Sequence, residues 1–205
     1  MKKLLLILLC LPMIGFGQEW TFGGTGSDYG RSVQQTTDGG YIITGSKNSF
    51  GNDTTDVYLI KTDGSGVEQW SKTYGGSNDD VGRSVQQTND GGYIICGETS
   101  VNNGYNVYLI KTDGSGIEQW SQTFGGTEWD KGYSVQQTTD GGYIITGTTY
   151  SFGNGGSDVY LIKTDGSGIE QWSQTFGGTG DERGYSVQQT TDGGYVITGL
   201  ENGSA

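Results

Sequence analysis

The feature that most constrains this chain is a tandem repeat of about fifty residues. Four tryptophans recur at intervals of 50, 50 and 52 residues, each followed by an aromatic residue and a Gly-Gly pair. They are Trp20, Trp70, Trp120 and Trp172. Repeats of this length are typical of units that bury their apolar faces on neighbouring copies of themselves. The chain is therefore expected to fold as several copies of one small unit.

Each unit is predicted to be a four-stranded antiparallel meander, which makes the fold class all-β. In the third copy the candidate strands are rich in Val, Ile, Tyr, Thr and Trp. They are Tyr133–Thr138, Tyr143–Thr148, Asp158–Thr164 and Ile169–Phe176. Thr-Asp-Gly-Gly and Asp-Gly-Ser-Gly join them in pairs, as tight hairpins require, and no ten-residue helical period appears after residue 17.

The third strand of the unit favours one architecture over another. Val159, Tyr160, Leu161 and Ile162 are apolar on both faces of the pleat, so both faces of each sheet must be covered. Sheets stacked face to face around an axis achieve this, which predicts the blades of a β-propeller. A linear β-solenoid is the alternative, although its repeats are usually shorter and lack two hairpins per unit.

The repeat also resembles a known group of proteins. The strings DGGYIITG and DVYLIKTDGSGIEQWSQTFGGT look like the tandem repeats of secreted bacterial β-propeller proteins, which often carry a C-terminal sorting domain. The likeness spans residues 18–205 and implies secretion and a propeller fold. Some chains of that group are labelled as carbohydrate-active. The DGSGIEQW segment is also similar to the tryptophan-docking repeats of quinoprotein propellers, with a turn one residue shorter.

The number of strands predicts an incomplete ring. Gln18–Phe22 supplies the end of a fourth strand, three complete units follow, and Tyr185–Thr198 supplies only two more strands. Four closed blades require a further strand. We therefore expect a partial propeller of about three and a half to four blades, with a minimal four-bladed ring as the alternative.

The first seventeen residues have the pattern of a cleavable export signal. Two lysines precede an apolar run, and Gly15-Phe16-Gly17 forms a small-x-small cleavage site before Gln18. The run is too short to span a bilayer, so no transmembrane segment is predicted. The division is thus a signal peptide at 1–17 and a repeat domain at 18–205 that is secreted or held at the cell surface.

The net charge of the chain limits the kinds of molecule that it can bind. Cleavage would take the formal net charge from −12 to −14, because two lysines and no acids are lost. Such a surface repels nucleic acid and anionic membranes, and it favours cations, neutral sugars or basic proteins. An extracellular glycan or protein is the expected partner, and nucleic acid is not.

No catalytic residues are predicted. The chain has no histidine, which excludes Ser-His-Asp, Cys-His and His-ligated metal sites within it. Cys96 occupies a position that is Thr in the sister units, so it is interpreted as a small strand residue. Glu68, Glu118 and Glu170 are equivalent by repeat, whereas a catalytic acid needs one unusual environment. These observations favour a protein that is not an enzyme.

One set of acids has two possible roles. Each lies two residues before a Gly and four before a Ser, in the loop that leaves one unit for the next: Asp28, Asp80, Asp130 and Glu182. They can accept backbone N–H bonds and fix that turn, or they can supply oxygen ligands to Ca²⁺. The sequence lacks the DxDxDG pattern of a dedicated calcium loop, which favours the turn, and no other cofactor is predicted.

The candidate ligand-binding residues lie in the loops that vary between copies. These are the loops between units and those between second and third strands, which emerge on the same face of a propeller. The candidates are Tyr29, Tyr105, Glu128, Trp129, Asp130 and Tyr150. Trp129 is the one tryptophan outside the repeating position, so it either forms a sugar platform with its acidic neighbours or packs on an adjacent loop.

Three hypotheses for function follow. The first is a secreted, non-catalytic recognition or scaffold module that binds glycan or protein through the variable loops. The second is a polysaccharide-active enzyme of the glycoside hydrolase type, or a domain associated with one. The third is a structural spacer in a cell-surface or secreted protein.

Overall fold

The computed structural model describes residues 4–8, 18–48, 54–101 and 104–202, with backbone alone for 4–8 and Gln18. Most of the predicted signal peptide therefore lies outside the described residues, and export remains a prediction. Every regular element in the described residues is a β-strand. None of these residues belongs to a helix long and apolar enough to cross a membrane.

The strands fall into three complete four-stranded antiparallel sheets with a two-stranded pair at each end. In chain order the strands are β1 Leu4–Leu8, β2 Gln18–Phe22, β3 Asp28–Gln35, β4 Tyr41–Asn48, β5 Thr55–Thr62, β6 Glu68–Tyr74, β7 Asp80–Gln87, β8 Tyr93–Val101, β9 Gly104–Thr112, β10 Glu118–Phe124, β11 Asp130–Gln137, β12 Tyr143–Thr149, β13 Asp158–Thr164, β14 Glu170–Phe176, β15 Asp181–Gln189 and β16 Tyr195–Asn202. The sheets are β3–β6, β7–β10 and β11–β14, and the pairs are β1–β2 and β15–β16.

The predicted all-β fold and four-stranded antiparallel units are confirmed, with small differences in the bounds. The first strand of the third unit begins at Asp130 rather than Tyr133, because a β-bulge between Gly132 and Ser134 lets the ladder continue past the glycine. An additional strand, β1, lies inside the predicted signal segment and pairs with β2.

Both faces of the third strand are covered, as its apolar run predicts. In β5, Val57 and Leu59 join the core between the first and second sheets. Tyr58 and Ile60 point the other way and pack with Phe22 of β2. This alternation follows from the two-residue period of a strand. Each sheet is therefore the middle layer between its neighbours.

The first strands of successive sheets are joined directly by side chains. The Gln34 side-chain oxygen accepts the Gln87 backbone N–H at 2.6 Å, and Gln86 and Gln136 repeat this bond to the next sheets. The Ser32 hydroxyl accepts the Val85 N–H at 3.4 Å. These bonds hold the first strands side by side and satisfy backbone groups that the ladders leave open.

The array does not close on itself. In the described part of the chain, no hydrogen-bonded ladder joins the terminal pair β15–β16 to the strands at the other end. The predicted propeller, whether complete or partial, therefore stays a prediction.

Candidate binding face

Two kinds of turn lie at opposite ends of the sheets. The constant hairpin turns lie together at one end, as shown by a close approach of Gly64 to the Gly39 carbonyl. The loops between sheets and the loops between second and third strands meet at the other end. The Ser100 N–H donates to the Asp79 carbonyl at 2.8 Å. We call this second end the loop face.

An aromatic group with one cation forms the centre of the loop face. Tyr105 and Trp129 meet edge to face with ring centroids 5.7 Å apart. The Lys131 ammonium lies 4.7 Å from the Tyr105 centroid and 5.2 Å from the Trp129 centroid. Trp129 remains 47% exposed although it packs on Tyr105. The indole thus packs on a neighbouring loop, which is one of its two predicted roles, and the sugar platform stays a prediction.

The other aromatic candidates extend this surface. The Tyr150 N–H donates to the Trp129 carbonyl at 2.9 Å, which holds the two loops together. Tyr150 and Tyr29 are both more than 40% exposed. The Tyr29 side chain lies on the first sheet, near Arg31. The Glu128 N–H is fixed by the Ser151 hydroxyl at 3.1 Å.

Asp130 lies beneath this surface. Its carboxylate accepts hydrogen bonds from the Gly126 N–H at 2.8 Å, from the Ser151 hydroxyl at 2.6 Å and from the Thr149 hydroxyl. The side chain is fully buried. Asp130 therefore supports the loops that carry Trp129 and Tyr150, and its oxygens are already engaged.

The three sister acids have the same backbone role. Asp28, Asp80 and Glu182 accept the N–H of the glycine four residues earlier, at 2.7, 3.1 and 3.1 Å. The predicted turn-fixing role of this set is confirmed. Burial is the main cause that raises the pKa of Asp80, and the nearby carboxylates of Asp56 and Asp79 add to it.

Metal binding by these acids is not supported by their arrangement. Among the side chains that the structure describes, no group of three or more His, Cys, Asp and Glu is arranged to hold a metal ion. The acids are instead spaced one per sheet. Calcium binding remains a prediction that nothing in the geometry favours.

A row of side chains at the β-bulges was not predicted from the sequence. Each first strand has a β-bulge, and the residue between the two register-shifted positions is left out of the ladder. These residues are Arg31, Arg83, Tyr133 and Tyr185, and we call them the bulge row. The Arg83 guanidinium lies 5.0 Å from the Tyr133 centroid, and the Tyr133 and Tyr185 centroids are 5.6 Å apart.

The bulge row and the aromatic group meet at Glu98. The Arg83 guanidinium donates two hydrogen bonds to the Glu98 carboxylate, at 2.7 and 2.8 Å. The Lys131 ammonium lies 3.7 Å from the same carboxylate. Arg183 lies on the other side of the row, against Tyr133, Tyr150 and Tyr185. A signal in the sequence could have found this row, because its position varies between Arg and Tyr while the Ser-Val-Gln-Gln after it is constant.

Cys96 is a small strand residue, as predicted. It is fully buried in the core between the second and third sheets. Burial raises the pKa of its thiol well above the ordinary value. A buried thiol of this kind has no reactivity to offer at neutral pH.

A cleft of about 900 Å³ lies at the uncovered side of the last hairpin. Phe176, Ile197 and Leu200 line it. In the interior of the array the corresponding space is filled, since Phe124 packs with Tyr160 and Ile162 of the next sheet. The cleft thus lies at a position that a neighbouring sheet covers in the interior of the array.

Comparison with known proteins gives a fold and no function. No known family profile matches the chain, and no curated protein matches it either. A solved structure from Bacteroides caccae, described as a protein of unknown function, is similar with a TM-score of 0.53 at 13% identity. The similarity covers 88% of this chain and 56% of that one, so this chain spans about half of its length. The likeness supports the repeated antiparallel β-architecture alone.

Proposed function

We propose that this chain is an exported recognition module whose sheets are propeller blades and whose loop face binds a glycan or a protein. The radial arrangement is supported by the first strands, which are joined directly by glutamine and serine side chains from one sheet to the next. Sheets that converge in this way at their first strands are typical of propellers.

The observation that carries the binding role is the exposed Trp129. A large aromatic ring that is nearly half exposed, held edge-on by Tyr105 and carried on a loop that Asp130 fixes, is a preorganised contact surface. Rings of this kind stack on the apolar face of a pyranose or anchor a protein partner. The constant hairpin turns at the opposite end have no such group, since their exposed apolar residues are single aliphatic side chains such as Ile117.

The test is a binding screen with a matched pair of variants. Wild-type protein is applied to a glycan array and used in pull-downs with surface proteins and polysaccharides. Trp129→Ala should lower the affinity for any ligand found in these screens by about tenfold or more, because truncation of an exposed anchor removes its whole contact area. Ile117→Ala, which removes an exposed apolar side chain from the opposite end, should leave binding unchanged. Equal losses in both variants, or none in either, would reject the loop face as the binding surface.

A further inference from the structure

Cations are concentrated at one place on an otherwise acidic protein. Lys61, Lys111 and Lys163 are buried in equivalent ion pairs with aspartates of the hairpin turns. Four other cations lie on or beside the bulge row: Arg31, Arg83, Lys131 and Arg183. The formal net charge of the whole chain is −12, so this cluster runs against the composition.

The cluster is not neutralised by the carboxylate at its centre. Glu98 accepts two bonds from Arg83 and faces Lys131 at 3.7 Å, so one negative charge serves two cations. Arg31 is exposed at the start of the row. At the other side, the half-buried Arg183 side chain hydrogen-bonds Tyr150 and keeps an Nε–H that no group in the described residues accepts. The exposed Arg31 guanidinium is therefore the donor most open to an added anion, and Arg183 adds a positive charge that no described carboxylate pairs with.

We propose that the bulge row binds the anionic group, carboxylate or sulfate, of a short acidic saccharide. This inference rests on the proposed recognition role and specifies the chemistry of its ligand. Arg31 at one end of the row binds the anionic group, Arg183 at the other end adds a second cation along the saccharide, and Arg83 holds the row in place through Glu98. The rings of Tyr133 and Tyr185 supply a stacking surface between the cations.

Two features of this surface favour a saccharide of limited length. The cations are interleaved with aromatic rings, and Trp129 and Tyr105 continue that surface through Lys131. Sugar residues present a hydrophobic face to rings and an anion to guanidinium groups at the same time. A long polyanion would extend past the row onto acidic surface and be repelled there. A chain end or an oligosaccharide avoids that repulsion.

The experiment measures binding by calorimetry with four small probes. Trigalacturonate carries carboxylates, its methyl ester is the neutral match, a sulfated trisaccharide carries sulfates, and triglutamate carries carboxylates without sugar rings. We expect trigalacturonate or the sulfated trisaccharide to bind about tenfold more tightly than the ester, with affinity falling as salt rises. The stronger of the two identifies the anion.

Substitutions of single cations test which residues bind the anion. Arg31→Gln removes an exposed cation of the row. It should lower the affinity for the acidic saccharide by about five- to tenfold and leave the affinity for the ester unchanged. Arg183→Gln should have the same effect. Lys72→Gln is the matched control, because it removes an exposed cation from a fourth strand away from the row and should change nothing.

Each contrary result has a distinct meaning. If the ester binds as tightly as the acid and Trp129→Ala weakens both, glycan recognition stands and the anion site is rejected. If triglutamate binds as well as the acidic saccharide, the site selects acidic peptide and the assignment to sugar is wrong. If no trisaccharide binds while the glycan screen succeeds with neutral sugars, the proposed function survives alone. Failure of both screens rejects both proposals.

Discussion

At the residue scale, glycines of the neighbouring sheet make room for the rings of the repeating tryptophans. A Cβ added at Gly116 would lie 2.7 Å from the Trp70 ring, and one at Gly168 would lie 2.6 Å from the Trp120 ring. Both glycines have positive φ, and each belongs to the turn of the following sheet. The Tyr74 hydroxyl also donates to the Gly116 carbonyl at 2.7 Å. One glycine therefore positions two aromatic side chains of its neighbour.

A comparison of two glycines tests this docking. Gly91 has a similar positive φ but open space around its Cβ position. Gly91→Ala should therefore lower the free energy of unfolding by about 1–2 kcal/mol, which is the cost of a non-glycine residue at positive φ. Gly116→Ala should lower it by roughly 2–4 kcal/mol, because the Trp70 ring must also move. The free energy of unfolding in urea measures both, and equal costs would show that the ring does not constrain the turn.

At the scale of elements, buried lysines connect the two hairpins of each sheet. The Lys163 ammonium donates to the Thr164 carbonyl at 2.8 Å and lies 2.9 Å from the Asp140 carboxylate. The same arrangement occurs in the first two sheets. It explains how a lysine can end an apolar third strand without leaving its charge unpaired.

This network predicts a pH-dependent stability. Hydrogen bonds from Thr138, Lys163 and the Gly142 N–H lower the pKa of Asp140 to about 2. A lowered folded-state pKa stabilises the protein at pH values above the unfolded-state pKa of about 4, and that contribution is lost as pH falls toward 2. Asp140→Asn should thus be less stable than wild type at pH 7, and the difference should vanish near pH 2.

The matched control is Asp192, the equivalent residue in the last hairpin, which is bound by Thr190 and the Gly194 N–H. Asp192→Asn should have a smaller effect at pH 7, because the third strand that carries the lysine is not part of that hairpin. Thermal unfolding from pH 7 to pH 2 measures both variants. A pH-independent gap for Asp140→Asn would show that the ion pair is not the source of its stability.

Strands and turns could be predicted from sequence, whereas the side-chain contacts of the bulge row could not. The alternation of apolar residues and the Gly-containing turns define the four strands and the two-faced packing of Val57 to Ile60 without any tertiary information. A bulge interrupts that alternation, so the direction of Arg83 or Tyr133 is not readable from a period of two. The pairing of Arg83 with Glu98 also depends on the register between two strands, which the pattern alone leaves open.

At the scale of the whole molecule, each sheet is stabilised by its neighbours. Val85 is 6% exposed between two sheets, whereas its equivalent Val33 at the first sheet is 51% exposed. At the other end Phe176 is 49% exposed, while Phe124 is 7% exposed in the interior. The same residue of the repeat is thus core or surface according to whether a neighbour covers it, as in other repeat arrays.

The two ends of the sheets differ in how much their sequences vary between units. The hairpin turns are constant because the tryptophans and lysines of every unit depend on them. At the loop face one buried acid per unit is retained, while the exposed residues of the loops differ between units. If the loop face is the recognition surface, a bound ligand must change the protein there and not at the hairpin turns.

Hydrogen–deuterium exchange tests that claim most directly. The protein is compared with and without the strongest ligand from the glycan and protein screens. Exchange should slow in the loops around 127–131 and 149–151 and in the bulged strands beside them, and it should stay unchanged in the hairpin turns at 36–40 and 113–117. Slowed exchange confined to the hairpin turns would contradict the account.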